Sequence, residues 1–170
     1  MENLAIRAAR AFAEVKHEGQ KYGNEEPYTT HLAHVAEVLR RFKFDDEDLQ
    51  VAAWLHDSVE DTDATISQIE MMFGRRVADI VGRVTNEPGK NRKERHAKTY
   101  PKIQKSLDAT TLKLADRIAN VESSVQDASD KLSMYRKEHE AFKALLHKDG
   151  VHDAMWRHLD FLIGDLNDNR

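Results

Sequence analysis

His31, His56, Asp57 and Asp116 are the residues of this chain whose types and surroundings point to chemistry. His56 and Asp57 follow the apolar run Val51-Ala52-Ala53-Trp54-Leu55, and Asp116 interrupts the stretch Leu112–Val121, which is otherwise rich in Leu, Ala, Ile and Val. An unpaired carboxylate in an apolar interior is costly, so it is normally neutralised, paired or bound to a metal. One divalent cation held in the middle of a helical bundle accounts for all three interruptions together. His31, at the start of a helix and directly after a loop, supplies the fourth ligand. Two imidazoles and two carboxylates neutralise such an ion and leave positions open for water and substrate. Mixed nitrogen and oxygen ligation suits Mn²⁺, Fe²⁺, Co²⁺ or Zn²⁺ without choosing among them. The chain has no cysteine, which excludes disulfides and thiolate ligation.

Around these four stand groups with a weaker claim. His56 and Asp57 are adjacent, so on a regular helix they would diverge by about 100° and could share an ion only at a helix end or distortion. Glu60 follows His56 by four positions and Asp61 comes next. If the chain turns back there, a carboxylate can lie close to the attacking water without being a ligand, to orient it, take its proton or protonate a leaving oxygen. The plainer reading makes Glu60, Asp61 and Asp63 solvated loop acids. Asn120 lies one turn after Asp116 and shares its face. Arg117 points elsewhere, to a surface salt bridge or to phosphate.

The elements that must position these groups are helical. A length of 170 residues and 40% hydrophobic content suffice for one sizeable core, and one domain over 1–170 is expected. Apolar spacing predicts a first helix over 2–18, a loop from Gly19 to Thr30, and a second helix capped by Thr30 that fades near Phe44. Asp45 is the expected N-cap of a third helix ending near Asp57, with Asp48 at its capping-box position. Thr65 opens a fourth that stops at Gly74, and Val77, Ile80, Val81 and Val84 mark a fifth. A basic segment, Lys90 to Lys98, is helical up to a break near Pro101, and Asp108 or Thr110 starts the helix around Asp116. Two further helices, 130–147 and 151–166, are separated by Gly150. No run alternates with period two, so the fold class expected is all-α. The net charge of −4 argues against broad nucleic-acid binding. No segment approaches the roughly 20 apolar residues of a membrane span, and the charged N-terminus does not look like a signal peptide, so a cytoplasmic protein is expected.

With these residues in view, the sequence resembles the HD-domain metal-dependent phosphohydrolases. His31, His56-Asp57 and Asp116 look like their H…HD…D signature. The closer resemblance is to the RelA/SpoT-type alarmone hydrolases and their stand-alone relatives, the small alarmone hydrolases. It is carried by His17-x-Gly19-Gln20, Glu26-Pro27-Tyr28-x-x-His31, the block His56-Asp57-Ser58-Val59-Glu60-Asp61-Thr62, and Lys113-Leu114-Ala115-Asp116-Arg117-Ile118-Ala119-Asn120. It runs from about Ala8 to Val125 and thins afterwards; HD alone is a weak signal, and the two long blocks together are a strong one.

The resemblance implies a compact multi-helix bundle around one metal site, typically Mn²⁺, that removes the 3′-pyrophosphate of ppGpp or pppGpp. It makes His31, His56, Asp57 and Asp116 the ligands, Glu60 and Asp61 the catalytic acids, and Asn120 a nucleoside or phosphate contact. Three departures bear on base recognition. Tyr22-Gly23-Asn24 stands where the family has an Arg-Lys-Ser-like segment whose arginine packs on guanine, and Tyr22 offers a ring for stacking but no charge. Leu32 replaces a common proline, and Glu122, Ser123 and Ser124 stand where a basic residue is frequent, which leaves Ser123 as the candidate contact there.

Several phosphates approaching an acidic chain need local compensation. Arg92 or Lys93, in the basic segment between the two metal blocks, is the expected phosphate contact, although a charge run is more often a solvated face. His17 falls in the matched loop. His34 is one turn from His31, while His96, His139, His147, His152 and His158 have no partner at recognisable spacing. Trp54 and Trp156 are expected in the core. The function expected is hydrolysis of a nucleotide phosphoester, with ppGpp first. Phosphatase action on the 2′-phosphate of NADPH and a non-catalytic nucleotide-sensing module are the alternatives.

Overall fold

The computed structural model describes residues 3–164. Helix α1 (Leu4–Lys16) starts at Asn3, whose side chain accepts from the Ala5 amide. The loop that follows is not wholly irregular. Lys21–Tyr22 (β1) and Glu26–Pro27 (β2) form a two-stranded antiparallel ribbon with Tyr22 opposite Glu26, a detail of the loop that period-two reasoning cannot detect in two-residue strands and that leaves the fold all-α as expected. Its turn uses Gly23 at φ +55° and Glu25 at φ +65°.

Helix α2 (Thr29–Arg41) begins two residues earlier than expected, with Tyr28 at the N-cap position and no side-chain cap, so Thr30 is inside the helix rather than before it. Helix α3 (Glu47–Leu55) is capped by Asp46, not Asp45, through the Leu49 amide at 3.1 Å. That places Asp48 second in the helix, out of capping-box register. The regular helix is then interrupted at His56 and Asp57, both still in the right-handed helical region (Asp57 at φ −99°, ψ −5°), and resumes in a single turn, α4 (Ser58–Asp61). Thr65 and Gln68 form a full capping box for α5 (Ile66–Phe73), and Gly74, at φ +90°, joins it to α6 (Arg75–Val84).

Asn91 caps α7 (Arg92–Ile103), which continues two residues past Pro101. A proline so near the C-terminus costs one backbone bond and can be absorbed there. Ser106, rather than Asp108 or Thr110, caps α8 (Leu107–Gln126) by accepting from the Ala109 amide. The molecule closes with α9 (Lys131–Leu146) and α10 (Asp153–Gly164); residues 165 and 166 of the last expected helix lie outside the described residues.

Helix α8 is the axis. It packs on α2, α3, α6, α7, α9 and α10. Leu112, Leu114, Ala115, Ile118, Ala119 and Val121 are fully buried. Each large apolar side chain in that row contributes roughly 1.5–3 kcal/mol on burial. That is enough to hold Asp116 in the same row at 8% exposure. The other carrier, α3, has every residue from Leu49 to Leu55 buried, with Trp54 among them, and Trp156 is buried on α10. Asp116 therefore projects from one well-enclosed helix, and His56 and Asp57 follow directly on the other; His31 comes from α2.

A candidate metal centre in a polar cleft

His31 lies in the first turn of α2, His56 and Asp57 at the α3–α4 junction, and Asp116 midway along α8. Their ligand atoms converge. His31 Nε2 is 3.2 Å from Asp116 Oδ1 and 3.6 Å from Asp57 Oδ2, while His56 Nε2 is 3.0 Å from Asp57 Oδ2 and 3.7 Å from Asp116 Oδ1. His31, His56 and Asp116 each offer an atom within 4.8 Å of the others. The two adjacent residues that share one point occupy the break between α3 and α4, where Asp57 (φ −99°, ψ −5°) departs from regular helix angles.

His56 provides the test of whether these residues suit a cation. Its Nδ1 donates to the Ala53 carbonyl at 2.8 Å, which fixes the tautomer and leaves the Nε2 lone pair free. That Nε2 is buried without a hydrogen-bond partner and faces two carboxylate oxygens. A lone pair against two anions is repulsive unless a positive charge lies between them. The titration tendencies agree: burial opposes charging His56, yet the Asp57 and Asp116 carboxylates push its imidazole well above the ordinary range. Burial likewise opposes ionisation of Asp116, but the Lys113 ammonium, His31 and His56 hold it well below the usual carboxylate range. Asp57 is lowered in the same way, with His56 overcoming burial. The donor set of two imidazoles and two carboxylates fits a divalent ion.

Other side chains fix these four. Lys113 Nζ donates to Asp116 Oδ2 at 2.8 Å, and Asn120 Nδ2 to Asp116 Oδ1 at 2.6 Å. Tyr28 donates to Asp57 Oδ2 at 2.7 Å and to Asp61 Oδ2 at 3.2 Å, tying a candidate ligand to a candidate acid. Its ring stacks on His17 at 4.8 Å, so His17 supports the site through Tyr28. Tyr22 stacks on His31, also at 4.8 Å, and donates to Asn120 Oδ1 at 3.0 Å. Burial pushes the Tyr22 phenol up to about 12, so it stays a donor.

The centre opens into a polar cleft of about 170 Å³ that gathers His31, Asp57, Glu60, Asp61, Arg92, Lys113, Asp116, Arg117 and Asn120 with Tyr28, Asn86 and Tyr135. Glu60 is oriented from below by Asn86, whose backbone N–H and Nδ2 donate to its two oxygens at 3.1 and 2.8 Å. Burial and the Asp57 and Glu60 charges raise the Asp61 pKa, against the Tyr28 hydrogen bond. Arg92 and Arg117, which also line the cleft, both donate to Glu138, at 2.7 and 3.0 Å. Arg117 is 5% exposed and lies 4.9 and 4.4 Å from the Tyr135 and Phe142 ring centroids. It is a buried, paired cation at the cleft wall, not a surface salt bridge.

Not every expected contact sits here. Arg92 lines the cleft, but Lys93, one residue on and about 100° around the helix, lines a different groove between α7 and α9. Tyr22 and Ser123 line an adjoining cavity of about 280 Å³, joined to the cleft through the Tyr22–Asn120 hydrogen bond. Tyr28, Asn86 and Glu138 carried no role of their own in the sequence, whereas Tyr135, a weaker phosphate candidate with Arg136 and Lys137, does line the cleft. Lys113 and Tyr28 had a signal, since both stand inside matched blocks, and Lys113 precedes Asp116 by one helical turn. Asn86 and Glu138 had none. Histidines without expected partners have them: His139 with Asp160, His158 with Glu122, His152 with Thr111 and His96 with Tyr100.

Fold and site together define a class, helical proteins that build a His/Asp metal centre where one helix breaks against a long central one. The chain belongs to the HD domain family, whose pattern matches residues 9–152. It is 35% identical over 155 residues to the bifunctional (p)ppGpp synthase/hydrolase SpoT of Escherichia coli K12, covering 86% of this chain and 22% of that protein. It is 36% identical over 114 residues to the guanosine-3′,5′-bis(diphosphate) 3′-pyrophosphohydrolase MESH1 of Drosophila melanogaster, covering 65% and 64% of the two chains. A solved structure described as a metazoan ortholog of SpoT that hydrolyzes ppGpp superposes with a TM-score of 0.86 at 26% identity, over 98% of each chain. The chain thus spans about a fifth of the length of the bifunctional relative it matches.

Proposed function

We propose that this chain, acting as one HD hydrolase unit, is a metal-dependent phosphohydrolase that removes the 3′-pyrophosphate of ppGpp or pppGpp to give GDP or GTP and pyrophosphate. One observation carries the reading. A single cleft is lined by His31, Asp57 and Asp116 of the metal-type cluster, the acids Glu60 and Asp61, and the cations Arg92, Lys113 and Arg117. Similarity to proteins named as ppGpp hydrolases supports the choice of nucleotide. His31, His56, Asp57 and Asp116 would hold one divalent ion, Mn²⁺ in this proposal; when bound it supplies Lewis-acid polarisation of a phosphoryl oxygen and a lowered pKa for the attacking water.

The chain's own residues do the rest. Glu60, held by Asn86, takes a proton from the attacking water as its oxygen bonds to phosphorus. The bond from that phosphorus to the ribose 3′ oxygen breaks, and the 3′ oxygen receives a proton from Asp61. The raised Asp61 pKa favours the protonated form this role requires. Arg92 and Arg117 line the same cleft as the acids and would stabilise the charge on the departing pyrophosphate. Asn120 contacts the substrate at the ligand cluster, and the nucleoside occupies the neighbouring cavity beside Tyr22 and Ser123. Neither nucleic acid nor membrane is a partner in this reading, and the cytoplasm is the compartment. Among the described residues no helix is long and apolar enough to cross a membrane.

The test is direct. Metal-stripped protein is supplied with Mn²⁺ and ppGpp, and products are resolved by ion exchange. GDP and pyrophosphate are expected, and only with metal. Orthophosphate from NADPH with ppGpp untouched would overturn the substrate, and saturable nucleotide binding without turnover would overturn catalysis.

A further inference from the structure

We propose that the groove between α7 and α9 is a second ligand site, built for a small planar aromatic anion. The two helices face each other through alanines, Ala97 and Ala141, and the missing bulk leaves a depression of about 390 Å³. That is within the range of about 300–1,000 Å³ typical of small-molecule sites. Its floor is aromatic and rigid. Tyr100 and Phe142 are buried and meet edge to face at 5.8 Å, and His96 stacks on Tyr100 at 4.8 Å. His96 bonds the Tyr100 hydroxyl at 3.2 Å and, through burial and the Arg92 charge, is lowered to about 4, so the wall it forms is a neutral ring. Leu145, 40% exposed, extends the apolar surface outward.

The charges at the rim set the sign of the ligand. Arg92 and Lys98 are paired with Glu138 and Glu94. Lys93 and Lys137, one from each helix, are exposed at the groove and have no carboxylate partner among the described residues. The one carboxylate lining the groove, Glu138, is already neutralised by Arg92 and Arg117. A flat ring seated between Ala97 and Ala141 and against Leu145, above the buried Tyr100 and Phe142, would cover exposed apolar surface from both helices, and an attached carboxylate or sulfonate would reach two free ammonium groups.

The probe is 8-anilinonaphthalene-1-sulfonate, titrated into the folded full chain and followed by fluorescence. Saturable binding of one molecule per chain is expected. Filling the groove with Ala141→Trp should abolish it, while Ala144→Trp, one turn further along the exposed face of α9, should not. The double variant Lys93→Glu/Lys137→Glu, which alters only exposed side chains, should weaken binding by at least about tenfold. N-phenyl-1-naphthylamine, the same rings without the sulfonate, should bind as weakly to the wild type. Equal affinity in the wild type and the lysine double variant overturns the proposal, as does non-saturating fluorescence or retained binding in a folded Ala141→Trp protein.

Discussion

Helices α2 and α8 meet over two carboxylate–histidine pairs less than two turns apart, and the pairs behave differently. At one, His31 faces Asp116; at the other, His34 faces Glu122. Glu122 has all its demands met. His34 donates to one oxygen at 2.8 Å, and His158 and Arg41 donate to the other at 2.5 and 2.6 Å, so α2, α8 and α10 are clamped with matched charge. Asp116 shares its space with a second carboxylate, Asp57, and with an imidazole nitrogen that has no partner. Residue types alone do not separate a structural clamp from a metal centre. The balance of donors against acceptors does, and a surplus of anions and lone pairs marks the place where a cation belongs.

Breaking the first cluster should have the largest effect. Asp116→Ala removes a ligand and leaves the Lys113 ammonium buried and unpaired. Bound metal by elemental analysis should fall below stoichiometry, with turnover reduced by at least about a thousandfold. Full metal content in this variant would remove the ligand assignment. Glu60→Gln comes next. It should keep the metal and lower kcat by about 10²–10⁴, and an unchanged rate would discard Glu60 as the proton acceptor. Tyr28→Phe deletes the hydroxyl that orients Asp57 and Asp61. Metal affinity, read by competition with a fluorescent chelator, should weaken by about 10–100-fold.

The second cluster should answer in stability and not in metal. Glu122→Gln is expected to cost about 1–2 kcal/mol in urea unfolding near neutral pH while leaving metal content intact. The pH dependence sharpens the contrast. Burial opposes ionisation of Glu122, but His34, His158 and Arg41 bring its pKa down to about 2 from the ordinary 4.5. A carboxyl lowered on folding adds stability that is fully present above the unfolded value. It is lost as pH falls from about 4.5 toward about 2. Unfolding curves between pH 7 and 3 should flatten in Glu122→Gln, and parallel curves for wild type and variant would deny the clamp its role.

What could be read in the sequence follows the same physics. Asp116 was legible because Leu, Ala and Ile on either side announce burial, and His56-Asp57 because an apolar helix stops there. Local capping was legible only to within one to four residues: Asp46 and not Asp45 caps α3, and Ser106 and not Asp108 or Thr110 caps α8, because neighbouring polar residues offer the same chemistry and tertiary packing selects among them. The phase of α7 was not legible. A run of mixed basic residues has no apolar stripe to orient it, so Arg92 and Lys93 were equivalent until α9 supplied Glu138 for one and left the other outside. Pairings such as His158 with Glu122, 36 positions apart, and Asn86 with Glu60, 26 apart, arise from chain folding alone.

The convergence of α2, the α3–α4 junction and α8 on one point has a consequence for the lifetime of the protein. An ion held there would cross-link segments separated by 25 and 59 residues in the chain, from His31 to His56 and from Asp57 to Asp116. Binding only to the native form, it would add about 2.7 kcal/mol to folding at a hundredfold excess over its dissociation constant. Starvation for that ion would then thin the pool of folded molecules as well as silence those that remain, so abundance and activity would decline together.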